Sequence, residues 1–334
     1  MTGGGDCPGL NAAIRAAVRY GDEQLAVSFV GFRDGWRGVL DGDARELAID
    51  DVRGILPQGG TILGTSGTQP HRVERGVDRV RAALDDHHLD GFVVIGGEGT
   101  IGATSIVGVP AVGVPKTIDN DVRGTDASIG FTTAAQIATD LIDRLYSTAE
   151  SHNRVMVCEV MGRHAGWIGW TAGVATAADV IAVPEHPFDI DLVCRRIRGV
   201  LAVRRPFAIV VVSEGATPIE GTLDMPVYPL DENGFPKLGG IGAVVAEAIG
   251  RTTGFETRVT VLGHVQRGGS PCAFDRVLAT RLARAAVDEA VAGRWGSVVG
   301  MHGDEVITTP IDEVAAGSRV VPESLWSIPE VVCT

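Results

Sequence analysis

The feature that most limits what this chain can become is a set of short apolar, β-branched runs: Leu25 to Phe32, Phe92 to Ile95, Ala111 to Val114, Val155 to Val160, Ala208 to Val212 and Val259 to Leu262. A strand with one wet face alternates polar and apolar residues. A run that is apolar along its length needs cover on both faces, which is how strands of a parallel sheet read. Longer stretches with helical periodicity lie between the runs, at Thr132 to Thr148, Ile190 to Val203, Gly240 to Thr252 and Ala273 to Ala290. This alternation predicts a doubly wound α/β architecture. A length of 334 residues accommodates two domains or one large α/β unit. The stretch Gly215 to Lys237, with four prolines and no periodicity, reads as a surface insertion or a small hairpin.

Glycine is unusually abundant, at 45 residues, and has no triplet period, which excludes a collagen-like chain. The glycines cluster just after the apolar runs, at the carboxyl edge where such sheets bind ligands. The formal net charge of −13 opposes binding to a polyanion over a broad surface, so no nucleic-acid partner is expected. A phosphate site would have to be local and basic. The five cysteines are scattered and form neither a C-x-x-C pair nor a disulfide framework. No signal-like leader opens the chain and no apolar run reaches about 18 residues, so a cytoplasmic protein without a membrane partner is expected.

Three glycine-rich stretches could bring main-chain N–H groups to a phosphate at a helix start. They are Thr2 to Asn11 (T-G-G-G-D-C-P-G-L-N), Gly59 to Gly64 (G-G-T-I-L-G) and Gly96 to Thr100 (G-G-E-G-T). Each could equally be a tight turn, and none has the Walker A spacing. After the run Ala111 to Val114 comes P-K-T-I-D-N-D, residues 115–121, with two carboxylates and an ammonium at a strand end. Such a cluster can accept a hydroxyl proton and help hold Mg²⁺ beside a transferring phosphate. An Asx-rich turn with solvated charges has the same sequence. Arg154, Arg163, Arg258 and Arg267 could grip a sugar phosphate through forked contacts, or be surface charges. Glu214, ending the run from Ala208, could accept sugar hydroxyls or stand in solvent, and His264 could be a ligand or an ordinary loop histidine.

Taken in order, G-G-D-C-P-G-L-N, G-G-E-G-T, P-K-T-I-D-N-D, E-V-M-G-R, S-E-G and V-L-G-H-V-Q-R-G-G-S-P resemble the phosphofructokinase family over nearly the whole chain. The resemblance implies two doubly wound, Rossmann-like α/β domains: residues 1–130 with 266–316 for the phosphoryl donor, and 131–265 with 317–334 for the sugar phosphate. It implies that Asp119 is the general base for the 1-hydroxyl of fructose 6-phosphate, assisted by Lys116 and Arg163. Glu98 and Asp121 would stand around Mg²⁺, glutamate replacing the family's usual aspartate at position 98. Gly4, Gly67, Thr68, Gly97, Glu98, Gly99 and Thr100 match the donor-phosphate site. Thr117, Ile118, Asp119, Met161, Gly162, Arg163, Glu214, His264 and Arg267 match the sugar-phosphate site. Arg154 and Arg258 match residues that reach a neighbouring subunit's 6-phosphate, implying a homo-oligomer, a dimer or tetramer. Arg15 and Arg19, one helical turn apart, match an effector site of bacterial relatives and could equally be solvated helix charges.

In this family pyrophosphate-using members carry aspartate at the position of Gly99 and lysine at that of Lys116. Glycine leaves room for the α-phosphate of ATP, so ATP is the expected donor and pyrophosphate the alternative. Three departures from the family pattern stand out. Gly67 replaces an arginine that contacts the transferred phosphoryl, which admits a catalytically weakened regulatory paralogue. The stretch Thr100 to Gly108 is about one helical turn short. The family's hydrophobic first strand is expected just upstream of Thr2. A related kinase sharing only the G-G-[DE]-G-T loop would not account for the later motifs, and a dinucleotide-binding oxidoreductase would need a G-x-G-x-x-G after its first strand.

Overall fold

The computed structural model describes residues 1–203, 206–225, 229 and 238–326. The chain divides into two compact units, Met1–Thr133 with Arg267–Arg319 and Ala134–Gln266 with Val320–Thr334.

In the first unit, helix α1 (Leu10–Leu25) is followed by β1 (Phe29–Phe32), α2 (Trp36–Asp41), β2 (Ala44–Leu47), α3 (Gly76–Asp86), β3 (Phe92–Gly96), α4 (Glu98–Val107) and β4 (Ala111–Pro115). The second unit contains most of α5 (Phe131–His152), then β5 (Val155–Val160), α6 (Trp167–Ala175), β6 (Val180–Ala182), α7 (Ile190–Val203), β7 (Ala208–Ser213), α8 (Ile241–Thr253) and β8 (Thr257–Val261). The chain then returns to the first unit for α9 (Ala273–Val291), β9 (Ser297–His302), β10 (Glu305–Pro310) and α10 (Ile311–Val314).

The sheet of the first unit runs β10-β9-β4-β3, parallel except for the β10–β9 hairpin. Neighbouring strands β3 and β4 are in register from Phe92–Ala111 to Gly96–Pro115, so their carboxyl ends deliver two loops side by side. The second unit holds a fully parallel sheet, β6-β7-β5-β8. Its central strands β5 and β7 are buried at every position, which accounts for their continuous apolar sequence. Their core partners include Ile197 on α7 and Val245 and Ile249 on α8. Each such side chain stabilises by roughly 1.5–3 kcal/mol when fully buried. The exception on β5 is Glu159, whose carboxylate accepts the N–H groups of Gly240 and Gly242 at the start of α8. An anion is favoured there by the open amides and the helix dipole.

Two apolar runs end up elsewhere than expected. The run from Leu25 is strand only from Phe29. Helix α1 continues through Leu25, and left-handed Ala26 (φ 54°) closes it, with Val27 N–H returning to Gly21 O at 3.0 Å. β1 then pairs only with β2, outside the main sheet. The run from Val259 belongs to β8, an edge strand, and leaves Val259 and Val261 exposed instead of covered on both faces. Much of Gly215 to Lys237, read as an insertion or hairpin, lies outside the described residues.

Thr2 makes a parallel bridge to Ile95, and the Met1 ammonium donates to Val93 O at 3.0 Å. These residues lie along the open edge of β3, beside a cavity of about 760 Å³ lined by Val30, Phe32, Phe92 and Trp295. Among the described residues, no helix is long and apolar enough to cross a membrane.

Candidate active site

The glycine-rich stretches of the first unit are joined by their main chains. Gly3 N–H donates to Ile95 O at the end of β3, and Gly4 N–H to Ser66 O at 2.9 Å. Thr65 Oγ1 donates to Gly4 O, and Thr2 Oγ1 to Gly64 O at 2.7 Å. The segment 64–66 is therefore stitched to the first loop. Beyond it Ser66 Oγ reaches Thr68 Oγ1 at 3.2 Å, and Gly67 is exposed. Gly97 opens α4, its carbonyl accepting the N–H groups of Thr100 and Ile101. Half-buried Glu98 stands in the first helical turn, where a carboxylate is favoured. Gly99 is exposed, and a Cβ added there would meet only the Gln69 side-chain amide, at 3.4 Å.

The loop after β4 carries the acidic turn. Lys116, at its head, is 2% exposed and donates from Nζ to Gly5 O at 2.6 Å. Burial holds its ammonium below the usual lysine range, with Arg267 acting in the same direction and Asp6 and Asp121 opposing in part. Cys7, beside it, is pushed up to about 12 by burial and stays a neutral thiol at pH 7. Asp119 N–H donates to Thr117 Oγ1 at 3.1 Å, and Ile118 is fully buried beneath. Asn120 takes the left-handed conformation (φ 53°), which asparagine tolerates better than most residues. Its side chain accepts Ser128 N–H at 2.9 Å and donates to Asp126 O at 3.3 Å. Arg267, matched by resemblance to the sugar-phosphate residues, belongs to this first unit. It donates to Asp6 O at 3.1 Å and lies against Gly5, where a side chain would collide with its guanidinium.

The second unit gathers the other residues. Met161, Gly162 and Arg163 follow β5, and Glu214 follows β7. The two strand ends are fastened together, with Glu214 N–H on Val160 O at 2.8 Å and Gly215 N–H on Gly162 O at 3.0 Å. A Cβ at Gly215 would overlap Arg163 O, so glycine permits the approach that brings Glu214 beside the Arg163 segment. Met161 N–H reaches the side chain of fully buried Gln266, which also donates to Gly263 O at 3.0 Å. Gln266 thus braces the turn that presents exposed His264. Arg154 and Arg258 both pair with Glu256, the former at 2.8 Å. Those contacts, the Arg154 hydrogen bond foremost, hold the Glu256 carboxyl below its ordinary range.

Within the first unit, then, Gly4, Gly67, Thr68, Gly97, Glu98, Gly99, Thr100, Lys116, Thr117, Ile118, Asp119, Asp121 and Arg267 fall on loops at the carboxyl ends of β3 and β4 or on segments bonded to them. Arg154, Met161, Gly162, Arg163, Glu214, Arg258 and His264 fall in the second unit. Arg19 of α1 is engaged by Glu23 one turn on. The sequence reading quoted Asn120 and Gln266 within its motifs without giving them a role, and it missed Gln69, Glu256 and Arg319. Of these three Glu256 left a legible signal, standing two residues before Arg258, so that strand alternation puts both on one face. No cluster of three or more histidine, cysteine, aspartate or glutamate side chains capable of holding a metal occurs among the described residues.

The family model described as "Phosphofructokinase" matches residues 1–290. The chain is 50% identical over 331 residues, 98% of its length and 96% of the relative's, to a pyrophosphate–fructose 6-phosphate 1-phosphotransferase of Streptomyces coelicolor. It is 46% identical over 330 residues, 98% of its length and 95% of the relative's, to an ATP-dependent 6-phosphofructokinase of Corynebacterium efficiens. Among solved structures, phosphofructokinase from Pichia pastoris in the T-state superposes with a TM-score of 0.83 at 32% identity, over 95% of this chain and 35% of that one. The chain thus spans about a third of the Pichia pastoris subunit.

Proposed function

The chain belongs to the phosphofructokinase family, and from that premise we propose that it transfers the γ-phosphoryl group of ATP to the 1-hydroxyl of fructose 6-phosphate. The observation that carries this reading is the turn after β4. It holds Asp119 between Thr117 and left-handed Asn120, on the same loop as a buried ammonium that reaches the first glycine loop.

Asp119 accepts the hydroxyl proton as the sugar oxygen forms its bond to the γ-phosphorus and the bond to the bridging β–γ oxygen breaks. The main-chain amides at the start of α4 bind the donor's phosphates, beside the first glycine loop, whose Gly3 and Gly4 N–H groups are spent on Ile95 O and Ser66 O. Lys116, desolvated and lacking a carboxylate at salt-bridge distance among the described residues, supplies a positive charge to the same phosphates. Glu98 and Asp121 offer hard oxygen ligands on the neighbouring exits of β3 and β4, the donor set that suits Mg²⁺, an ion bound by one or two carboxylates together with substrate phosphates. When bound, Mg²⁺ would neutralise charge on those phosphates. In the second unit Arg163, Glu214 and His264 orient the sugar phosphate. Arg154 and Arg258 serve a neighbouring subunit in a homo-oligomer, a reading the exposed apolar residues of edge strand β8 favour.

ATP is proposed because Gly99 leaves the side-chain position at the α4 start open apart from the Gln69 amide. An aspartate there would add a negative charge against the nucleotide's phosphates. A second reading, pyrophosphate as donor, is favoured by the name of the Streptomyces coelicolor relative and by the cation at Lys116. Measuring kcat/KM for both donors, at saturating fructose 6-phosphate and Mg²⁺, decides between them. At least tenfold preference for ATP is expected of the first reading, and the reverse preference overturns it. Activity with neither donor points to a regulatory paralogue.

A further inference from the structure

The acidic turn is held from behind by a residue almost two hundred positions away. Arg319, the last residue of the first unit before the chain passes to Val320, donates its main-chain N–H to Asp121 O at 2.7 Å. Its guanidinium Nη1 donates to Asn120 O at 3.2 Å. Beside it Ser318 makes an antiparallel bridge to Val122. The three contacts bind consecutive residues of the loop to a short extended segment, as if adding a strand to it.

The loop needs such support. Asn120 is left-handed, so one carboxylate precedes and the other follows a conformation with few alternatives nearby in φ/ψ space. The Asn120 side chain is already committed to Ser128 and Asp126, and Ser128 Oγ closes the far side by donating to Thr117 O at 2.7 Å. These side-chain bonds fix the loop against itself. The segment 318–319 ties the carbonyls of residues 120 and 121 to a distant part of the chain. Arg319 is half-buried, and burial holds its guanidinium below the ordinary arginine range, opposed by Asp126.

We infer that Arg319 is a positioning residue for phosphoryl transfer: by bonding the main chain of Asn120 and Asp121 it fixes where the carboxylates of Asp119 and Asp121 stand. The inference rests on the reading of Asp119 as the base. It assigns Arg319 no contact with either substrate, so its loss acts on turnover and not on sugar affinity.

The test compares the wild-type protein with Arg319→Ala and Arg319→Lys. It uses steady-state kinetics and hydrogen exchange at the amides of Asp119 and Ser128, whose hydrogen bonds report the loop. For Arg319→Ala, kcat should fall about tenfold to a hundredfold, the cost of displacing a catalytic group by a fraction of an ångström to one ångström. KM for fructose 6-phosphate should stay within about threefold of wild type. Exchange at the two amides should speed up by about tenfold, and lysine, which can still donate to Asn120 O, should restore part of both. Unchanged kcat in a folded Arg319→Ala protein, or a rise in KM with kcat intact, overturns the inference. If alanine prevents folding, Arg319→Gln is read in the same way. Should the wild type make no product with either donor, the assignment of Asp119 falls separately, and exchange then decides: faster exchange upholds the clamp and unchanged exchange overturns it.

Discussion

Lys116 in the first unit is almost wholly buried, with its ammonium on a single carbonyl, whereas Arg154 and Arg258 in the second share one carboxylate, Glu256, near the surface. The first arrangement leaves a cation desolvated and only part satisfied, at a cost in stability. The second leaves two cations sharing one anion, with Arg258 half exposed and Arg154 more covered. The difference teaches where each half carries its strain. The loop after β4 in the first unit is fixed by strand ends, a left-handed asparagine and the segment 318–319. The outer arginines of the second unit stand in a pairing that an anion can replace at little expense, since exposed ion pairs are worth only about 0.2–1 kcal/mol.

The comparison breaks most visibly at Asp119. Asp119→Ser should lower kcat by ~10²–10⁴, as loss of a general base does, while KM for fructose 6-phosphate changes little because the second unit is untouched. A loss below tenfold would remove Asp119 from its assigned role. Gly99→Asp should reduce kcat/KM for ATP about tenfold or more beyond any effect on pyrophosphate, by placing a charge against one donor and not the other. Equal losses would mean that position 99 does not select the donor.

Lys116→Met sharpens the contrast in stability. Removing a buried charge should stabilise the protein by about 1–2 kcal/mol in urea denaturation while lowering turnover. The pH dependence has a defined sign. The unfolded chain takes up the lysine proton near 10.5, and the folded chain only at a lower pH. Wild-type stability therefore rises with pH in the window below 10.5, relative to the methionine variant. A variant that is less stable, with no difference in alkaline slope, would show that Lys116 is well satisfied where it lies. The smallest effect is expected at Glu256→Gln. It frees Arg154 and Arg258 and should lower KM for fructose 6-phosphate about two- to fivefold, the range an exposed ion pair allows. An unchanged KM would separate those arginines from the phosphate.

The turn P-K-T-I-D-N-D stood out by its carboxylates after an apolar strand, but an Asx-rich turn reads the same and its assigned role came from the family resemblance, whereas the parallel strands were legible because their residues are buried on both faces. What stayed hidden depended on distance or on context. Asn120 O and Arg319 are 199 residues apart, and nothing local in S-R-V announces a clamp. Lys116 could be read as a site cation or as a solvated charge in a turn, because its burial comes from the first glycine loop lying over it. Val259 and Val261 read as core, but strand order puts them on an edge, and order is set by crossovers that apolar runs do not encode.

Phosphorus NMR reads phosphoryl transfer to the 1-hydroxyl of fructose 6-phosphate without coupling enzymes. Wild-type protein incubated with fructose 6-phosphate, Mg²⁺ and ATP should convert the single sugar-phosphate signal into the two signals of fructose 1,6-bisphosphate as ADP accumulates. Persistence of the single signal with ATP, and again with pyrophosphate, would contradict the account.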